Sequence, residues 1–228
     1  MSQPGLTPGA QAGSGSRAVV FDFDGVLADT ERLHLLAFQD AFVLQGWTLD
    51  ERAYYDRYMG YDDRGAIVEY ARDFGFTLAE PQIALLTSSK ASAFAARLAS
   101  ADVLFPGTRA CVTRLASAFP LAIASGALHH EIVAILRAGG LLDYFPVIVG
   151  ADDCTAHKPE PEPYLRAAAA LGVAPARCTA VEDSSWGLAS ARAAGMRTVG
   201  VTTTSPREAL RDADVIITGL HELTASLV

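Results

Sequence analysis

Two aspartates one residue apart, Asp22 and Asp24, end the apolar run of "RAVVFDFDG" and are followed at once by Gly25. Carboxylates converging at the end of a buried strand repel each other and are costly to desolvate, unless a cation or a shared proton lies between them. As mere structure the pair would cap the next turn, with Gly25 supplying an unusual backbone conformation. A second acidic pair, Glu182 and Asp183, ends another apolar run in "TAVEDSSWG". If the two runs are neighbouring strands, four carboxylates meet at one edge. Hard oxygen donors in that number suit Mg2+, which binds through one or two carboxylates together with a phosphate.

Two further residues fit the same chemistry. Ser125 in "IASGALHH" precedes a glycine and a helical stretch, where a hydroxyl and backbone N–H groups can hold a phosphate oxygen; it can equally be a helix cap. Lys158 in "AHKPEPEPY" is one of two lysines, with Lys90, among 18 Lys and Arg residues. A composition that favours arginine makes each surviving lysine a candidate for a compact point charge. Beside a carboxylate cluster, the Lys158 ammonium can neutralise both an aspartate and an incoming phosphate, although a lone lysine before a Pro-initiated helix is ordinarily solvated.

These residues need a frame that returns them to one place. Short Val- and Ile-rich runs at 17–23, 120–125, 145–150, 178–183, 197–201 and 214–218 predict strands. Ala- and Leu-rich helical stretches near 127–139, 161–171 and 186–194 separate the later ones, the pattern of a parallel sheet covered by helices. In such α/β sheets ligands sit beyond the carboxyl ends of the strands. Each candidate lies at or just past such an end. Residues 31–103 differ: no strand is evident, and apolar residues recur at three- and four-residue spacings. The expected organisation is an N-terminal tail over 1–16, an α/β core over 17–30 and 104–228, and an all-helical insertion over 31–103.

Composition narrows the partners. With 228 residues, half of them hydrophobic, the chain can bury a sizeable core. A net charge of −8 argues against a nucleic-acid surface, which needs clustered Lys and Arg. Cys111, Cys154 and Cys178 are widely spaced, so reduced thiols are expected rather than a zinc site. No run of 18 apolar residues and no signal-peptide pattern are present, so a cytoplasmic protein without membrane contact is expected, taken as a monomer.

Taken together, "FDFDGVLADT", "IASG", "HKPEP" and "VEDSSWG" resemble the four motifs of the haloacid dehalogenase superfamily of phosphatases and phosphomutases, over residues 17 to about 220. The resemblance implies a Rossmann-like core with a small helical cap domain inserted after the first motif. It implies that Asp22 is the nucleophile, forming an aspartyl-phosphate, and that Asp24 is the general acid and then the base for water. It also implies Mg2+ held by Asp22, the Asp24 carbonyl and Asp183, with Glu182 beside it, and phosphoryl binding by Ser125 and Lys158. Dehalogenases of this superfamily lack the second aspartate, because halide leaves without a proton; Asp24 therefore favours phosphate chemistry.

Within the cap, "DTERLH" resembles β-phosphoglucomutase, with His34 at the position of a histidine linked to cap closure and Lys90 at that of a lysine meeting a distal phosphate. "YMGYDDRG" departs from that pattern: Asp63 stands roughly where an arginine is expected, and Arg64 follows one residue on. His34, Arg64 and Lys90 are the candidate substrate residues. The expected activity is Mg2+-dependent hydrolysis of a small phosphorylated metabolite such as a sugar phosphate, with a phosphomutase as the alternative. Signalling receiver domains, also acidic at their strand ends, are shorter, have no helical insertion and do not begin with D-x-D-G.

Overall fold

Six parallel strands, β1 (Ala18–Phe21), β2 (Leu121–Ala124), β3 (Val147–Val149), β4 (Cys178–Glu182), β5 (Arg197–Val201) and β6 (Val215–Ile217), form one sheet in the order β3-β2-β1-β4-β5-β6. Each falls within a run predicted from sequence. Helices α1 (Glu31–Val43), α2 (Glu51–Ala53), α3 (Asp63–Asp73) and α4 (Glu80–Leu98) follow β1. The later helices α5 (Thr108–Ala116), α6 (His129–Ala138), α7 (Glu162–Leu171) and α8 (Ser185–Ala193) connect the remaining strands. This computed structural model describes residues 17–59, 61–98 and 102–228, so the expected tail over 1–16 lies outside the described residues. The chain divides into two units, one running up to Asp29 and resuming at Leu104–Val228, the other comprising Thr30–Val103.

In the α/β unit, β1 is buried along its whole length and paired on both sides, which is why its sequence is continuously apolar rather than alternating. Strand order reverses at β1: β2 and β3 lie on one side and β4 to β6 on the other. That reversal opens a crevice at the carboxyl ends of β1 and β4. The β1–β4 register pairs Phe21 with Val181, and the Asp22 N–H donates to the Val181 carbonyl at 2.9 Å. The next residues on each strand, Asp22 and Glu182, are thereby brought level.

Helix α7 packs on β1, β2 and β3. Alanines 18, 122, 124, 167, 168 and 180 line this contact and leave room for Tyr164, which is fully buried among them. Burying an aromatic side chain contributes roughly 2 to 3 kcal/mol, provided its hydroxyl finds a partner.

The Thr30–Val103 unit is helical throughout its regular elements, and α2 runs into a π-helical turn over Tyr54–Tyr58. Leu35, Phe38, Ala41 and Phe42, at helical spacing on α1, pack with Tyr54, Tyr58, Ile67, Tyr70 and Leu86. The tyrosines keep their hydroxyls satisfied at the edge of this core. Tyr54 donates to Glu31 Oε2 at 2.8 Å, Tyr58 to Asp73 Oδ2 at 2.8 Å and Tyr70 to the Thr48 carbonyl at 2.7 Å.

Candidate active site

The segment before α7 carries Lys158 back to the sheet edge. Its Nζ donates to Asp22 Oδ1 at 2.7 Å and to Glu182 Oε1 at 2.6 Å. A solvated loop lysine, the bland reading of its sequence, is excluded: the side chain is 13 % exposed and spans β1 and β4. Burial opposes its charge, but Asp22 and Glu182 outweigh that effect and hold its pKa above the usual lysine range.

Glu182 is enclosed entirely. Oε1 accepts from Lys158 and from the Tyr164 hydroxyl at 2.7 Å, while Oε2 accepts from the Ser184 hydroxyl at 3.1 Å and the Asp183 N–H at 3.2 Å. The Lys158 ammonium also lies 5.2 Å from the centre of the Tyr164 ring. Ser184 caps α8 as well, accepting from the Gly187 N–H at 3.0 Å. Gly187 explains how the helix fits: a Cβ there would fall 1.8 to 2.1 Å from the Glu182 carboxyl atoms.

Asp183 receives a hydrogen bond on Oδ2 from the Thr204 hydroxyl, in the loop after β5, and the neighbouring Thr203 donates to the Gly25 carbonyl. Gly25 has φ +78°, and a Cβ on it would sit 1.9 Å from Asp183 Oδ2. Both the backbone conformation and the close approach therefore require glycine after the second aspartate.

Asp22, Glu182 and Asp183 are all buried, with one oxygen of each within 4.8 Å of the others. Burial and the charge of Glu182 push Asp22 well above the usual carboxylate range, against the opposing pull of Lys158. The same two causes raise Asp183 to about 6. Three carboxylates beside one ammonium leave an excess of two negative charges. A divalent cation with a preference for hard oxygen donors fits both the charge and the donor set.

Ser125 follows β2, its N–H donating to the Val149 carbonyl at 2.9 Å. It does not cap the next helix, as one sequence reading allowed. Helix α6 begins only at His129, whose N–H donates to Asp152 Oδ1 at 2.8 Å, and the Ser125 hydroxyl oxygen instead accepts from the Ala127 N–H at 3.1 Å. Asp24 is partly exposed in the turn between β1 and α1, bridged through its backbone to Ala28.

In the helical unit, His34 and Lys90 come together and Arg64 pairs elsewhere. Lys90, 1 % exposed, donates to Asp63 Oδ1 at 2.6 Å and to His34 Nδ1 at 2.7 Å, with the rings of Phe38 and Phe94 each 5.1 Å away. Lysine has donors only, so Nδ1 is the acceptor and the imidazole proton rests on Nε2. His34 stacks on Phe94, and burial, helped by Lys90, lowers its pKa to about 3. Arg64 makes two hydrogen bonds to Glu80, at 2.6 and 3.0 Å, on an exposed face.

Sequence reasoning overlooked Tyr164, Thr203 and Thr204. The threonines form the polar end of β5, so extending the strand-end rule one strand further would have found them. Tyr164 is visible only as an aromatic six residues beyond Lys158; its role depends on how α7 lies on the sheet.

A parallel sheet whose reversal point gathers a lysine and three buried carboxylates defines an α/β enzyme of phosphoryl chemistry. The family model of haloacid dehalogenase-like hydrolases matches residues 16–195, and the chain belongs to that family. Protein CbbY of Rhodobacter capsulatus is 38% identical over 194 residues, covering 80% of this chain and 84% of that protein. Beta-phosphoglucomutase of Bacillus subtilis is 30% identical over 218 residues, covering 93% of each. Among solved structures, CbbY of Rhodobacter sphaeroides in complex with xylulose-(1,5)bisphosphate superposes with a TM-score of 0.81 at 30% identity, covering 91% of this chain and 96% of that one. Among the described residues no helix is long and apolar enough to cross a membrane.

Proposed function

We propose that the protein hydrolyses the phosphate monoester of a small sugar-like metabolite through a phosphorylated Asp22. The observation that carries this reading is the Lys158 bridge between Asp22 and Glu182, which ties three of the four sequence motifs into one charged centre.

The carboxylate of Asp22 attacks phosphorus, an O–P bond forms to the aspartate, and the bond from phosphorus to the sugar oxygen breaks. Asp24 gives the departing oxygen its proton. Deprotonated Asp24 then takes a proton from water as that water attacks the aspartyl-phosphate, releasing inorganic phosphate and restoring Asp22. Lys158 has three N–H donors. Two hold Asp22 and Glu182, and the third is free for a phosphoryl oxygen, where it offsets charge during transfer. Ser125 accepts from Ala127 and offers its own O–H to the same group. Asp22 and Asp183, with the Asp24 backbone carbonyl and with Glu182 beside them, would hold Mg2+, which when bound supplies neutralisation of the phosphoryl oxygens. The helical unit, as a cap carrying His34, Arg64 and Lys90, would select the sugar.

The xylulose-(1,5)bisphosphate complex of CbbY supports a sugar phosphate as substrate. A phosphomutase is a second reading, favoured by the full-length similarity to Beta-phosphoglucomutase. A panel of sugar phosphates, assayed for free phosphate with Mg2+ and again with chelator, tests both. Hydrolysis predicts Mg2+-dependent phosphate release; interconversion of glucose 1- and 6-phosphate without free phosphate would establish the mutase instead.

A further inference from the structure

We propose that Thr204, in the loop after β5, is a positioning residue that fixes the carboxylate of Asp183 for binding of a divalent cation. This rests on the reading above only in taking Asp183 as a cation ligand. Strand β5 pairs with β4, Glu182 lying beside Gly200, so the chain leaving Val201 emerges next to Asp183. The loop is fastened on both sides. Thr202 donates its N–H to the Ile217 carbonyl of β6 at 3.1 Å, and Thr203 donates its hydroxyl to the Gly25 carbonyl of the first motif.

Immediately after these anchors, Thr204 is the one side chain among the described residues seen to donate to the Asp183 carboxylate. A Cβ on Gly25 would lie 1.9 Å from Asp183 Oδ2 and 3.0 Å from Thr204 Cγ2. The ends of β1, β4 and β5 thus meet at one carboxylate oxygen, and glycine at position 25 is what lets them meet. A carboxylate flanked by other negative groups turns away from them when free to rotate. The Thr204 hydroxyl removes that freedom, and outer partners of this kind commonly change metal affinity or activity by about 10- to 100-fold.

Thr204 is itself exposed, so replacing it leaves the core untouched. The test is calorimetric titration of Mg2+ into the substrate-free full chain, for the wild type, Thr204→Val and Thr204→Ser, with Mg2+ activation of phosphate release measured alongside. Thr204→Val, which keeps the shape and loses the hydroxyl, should raise the Kd for Mg2+ about 10- to 100-fold and raise the Mg2+ needed for half-activation in step, with kcat largely recovered at saturating Mg2+. Thr204→Ser should stay within about twofold of the wild type, since the hydroxyl remains. Unchanged affinity in Thr204→Val, or a serine variant as weak as the valine one, would overturn the proposal. Thr204→Ala repeats the comparison should the valine variant fail to fold. A wild type that binds no Mg2+ would remove both this role and the metal assignment; a wild type that binds Mg2+ but releases phosphate from no substrate would overturn only the functional reading.

Discussion

Lys158 and Asp22, 136 residues apart in the chain, meet through a 2.7 Å hydrogen bond between Nζ and Oδ1. The same ammonium reaches Glu182 at 2.6 Å, so one cation locks the two central strands at the edge where the acidic motifs end. A point charge with separate donors suits this geometry; a planar fork does not.

Lys158→Arg should therefore fail despite conserving charge. The guanidinium cannot occupy the space between Asp22, Glu182 and the Tyr164 ring while keeping both bonds. Phosphate release should fall by about 100-fold or more, the scale of losing one preorganised donor at a developing charge. Steady-state kinetics decide it, and near-wild-type kcat would refute the assignment.

Gly187→Ala should be severe for a substitution so small. The added methyl would lie within 1.8 to 2.1 Å of the Glu182 carboxyl atoms, forcing that side chain off Lys158 and Tyr164. Overpacking together with a broken buried ion pair costs on the order of 3 kcal/mol. Calorimetric melting should show the loss, with activity falling in parallel.

The metal-free centre is destabilised by its own carboxylates. Burial and Glu182 raise Asp183 to about 6 from 3.8, so its contribution to stability, complete below pH 3.8, is lost as pH rises through about 6. At pH 7 Asp183→Asn should raise the stability of the metal-free protein by on the order of 3 kcal/mol. Mg2+ should raise the melting temperature of the wild type, and this response should vanish in the variant. A variant that melts lower, or that retains the Mg2+ response, would contradict the prediction.

His34 gives the helical unit an opposite pH dependence. Its pKa is lowered to about 3 from 6.5 by burial and by Lys90, so the unfolded chain takes up a proton in that window that the folded chain does not. Stability therefore falls as pH drops below 6.5, by about 2 kcal/mol at pH 5. The melting temperature of His34→Gln should decline less than that of the wild type between pH 7.5 and 5. Parallel curves would rule out this contribution.

The sheet was legible because each strand is a short apolar run with a polar residue at its end, and burial on both faces leaves little else possible for "AVVF" or "CTAVE". Asp22, Glu182 and Asp183 were legible for the same reason, each standing at or just beyond a strand end. Lys158, nine residues past the end of β3, was legible instead from its rarity and its place before a Pro-initiated helix. Their partners were not. Tyr164 touches Glu182 only because α7 lies across alanine-lined strands, and Thr204 meets Asp183 only because Gly25 has no side chain; neither packing event leaves a local mark in sequence. Lys90 illustrates the converse. Its rarity marked it as special, but nothing near it in sequence indicates that Asp63 and His34, from other helices, would take up its donors.

The central claim is a phosphoryl group carried on Asp22. Rapid acid quench during turnover, borohydride reduction and peptide mass mapping test it directly, because reduction converts an aspartyl-phosphate to homoserine. The expected result is homoserine at position 22 in the wild type, with none in Asp22→Asn, a folded variant releasing phosphate at least about 1,000-fold more slowly. Phosphate release with position 22 recovered only as aspartate, or full activity in Asp22→Asn, would contradict it.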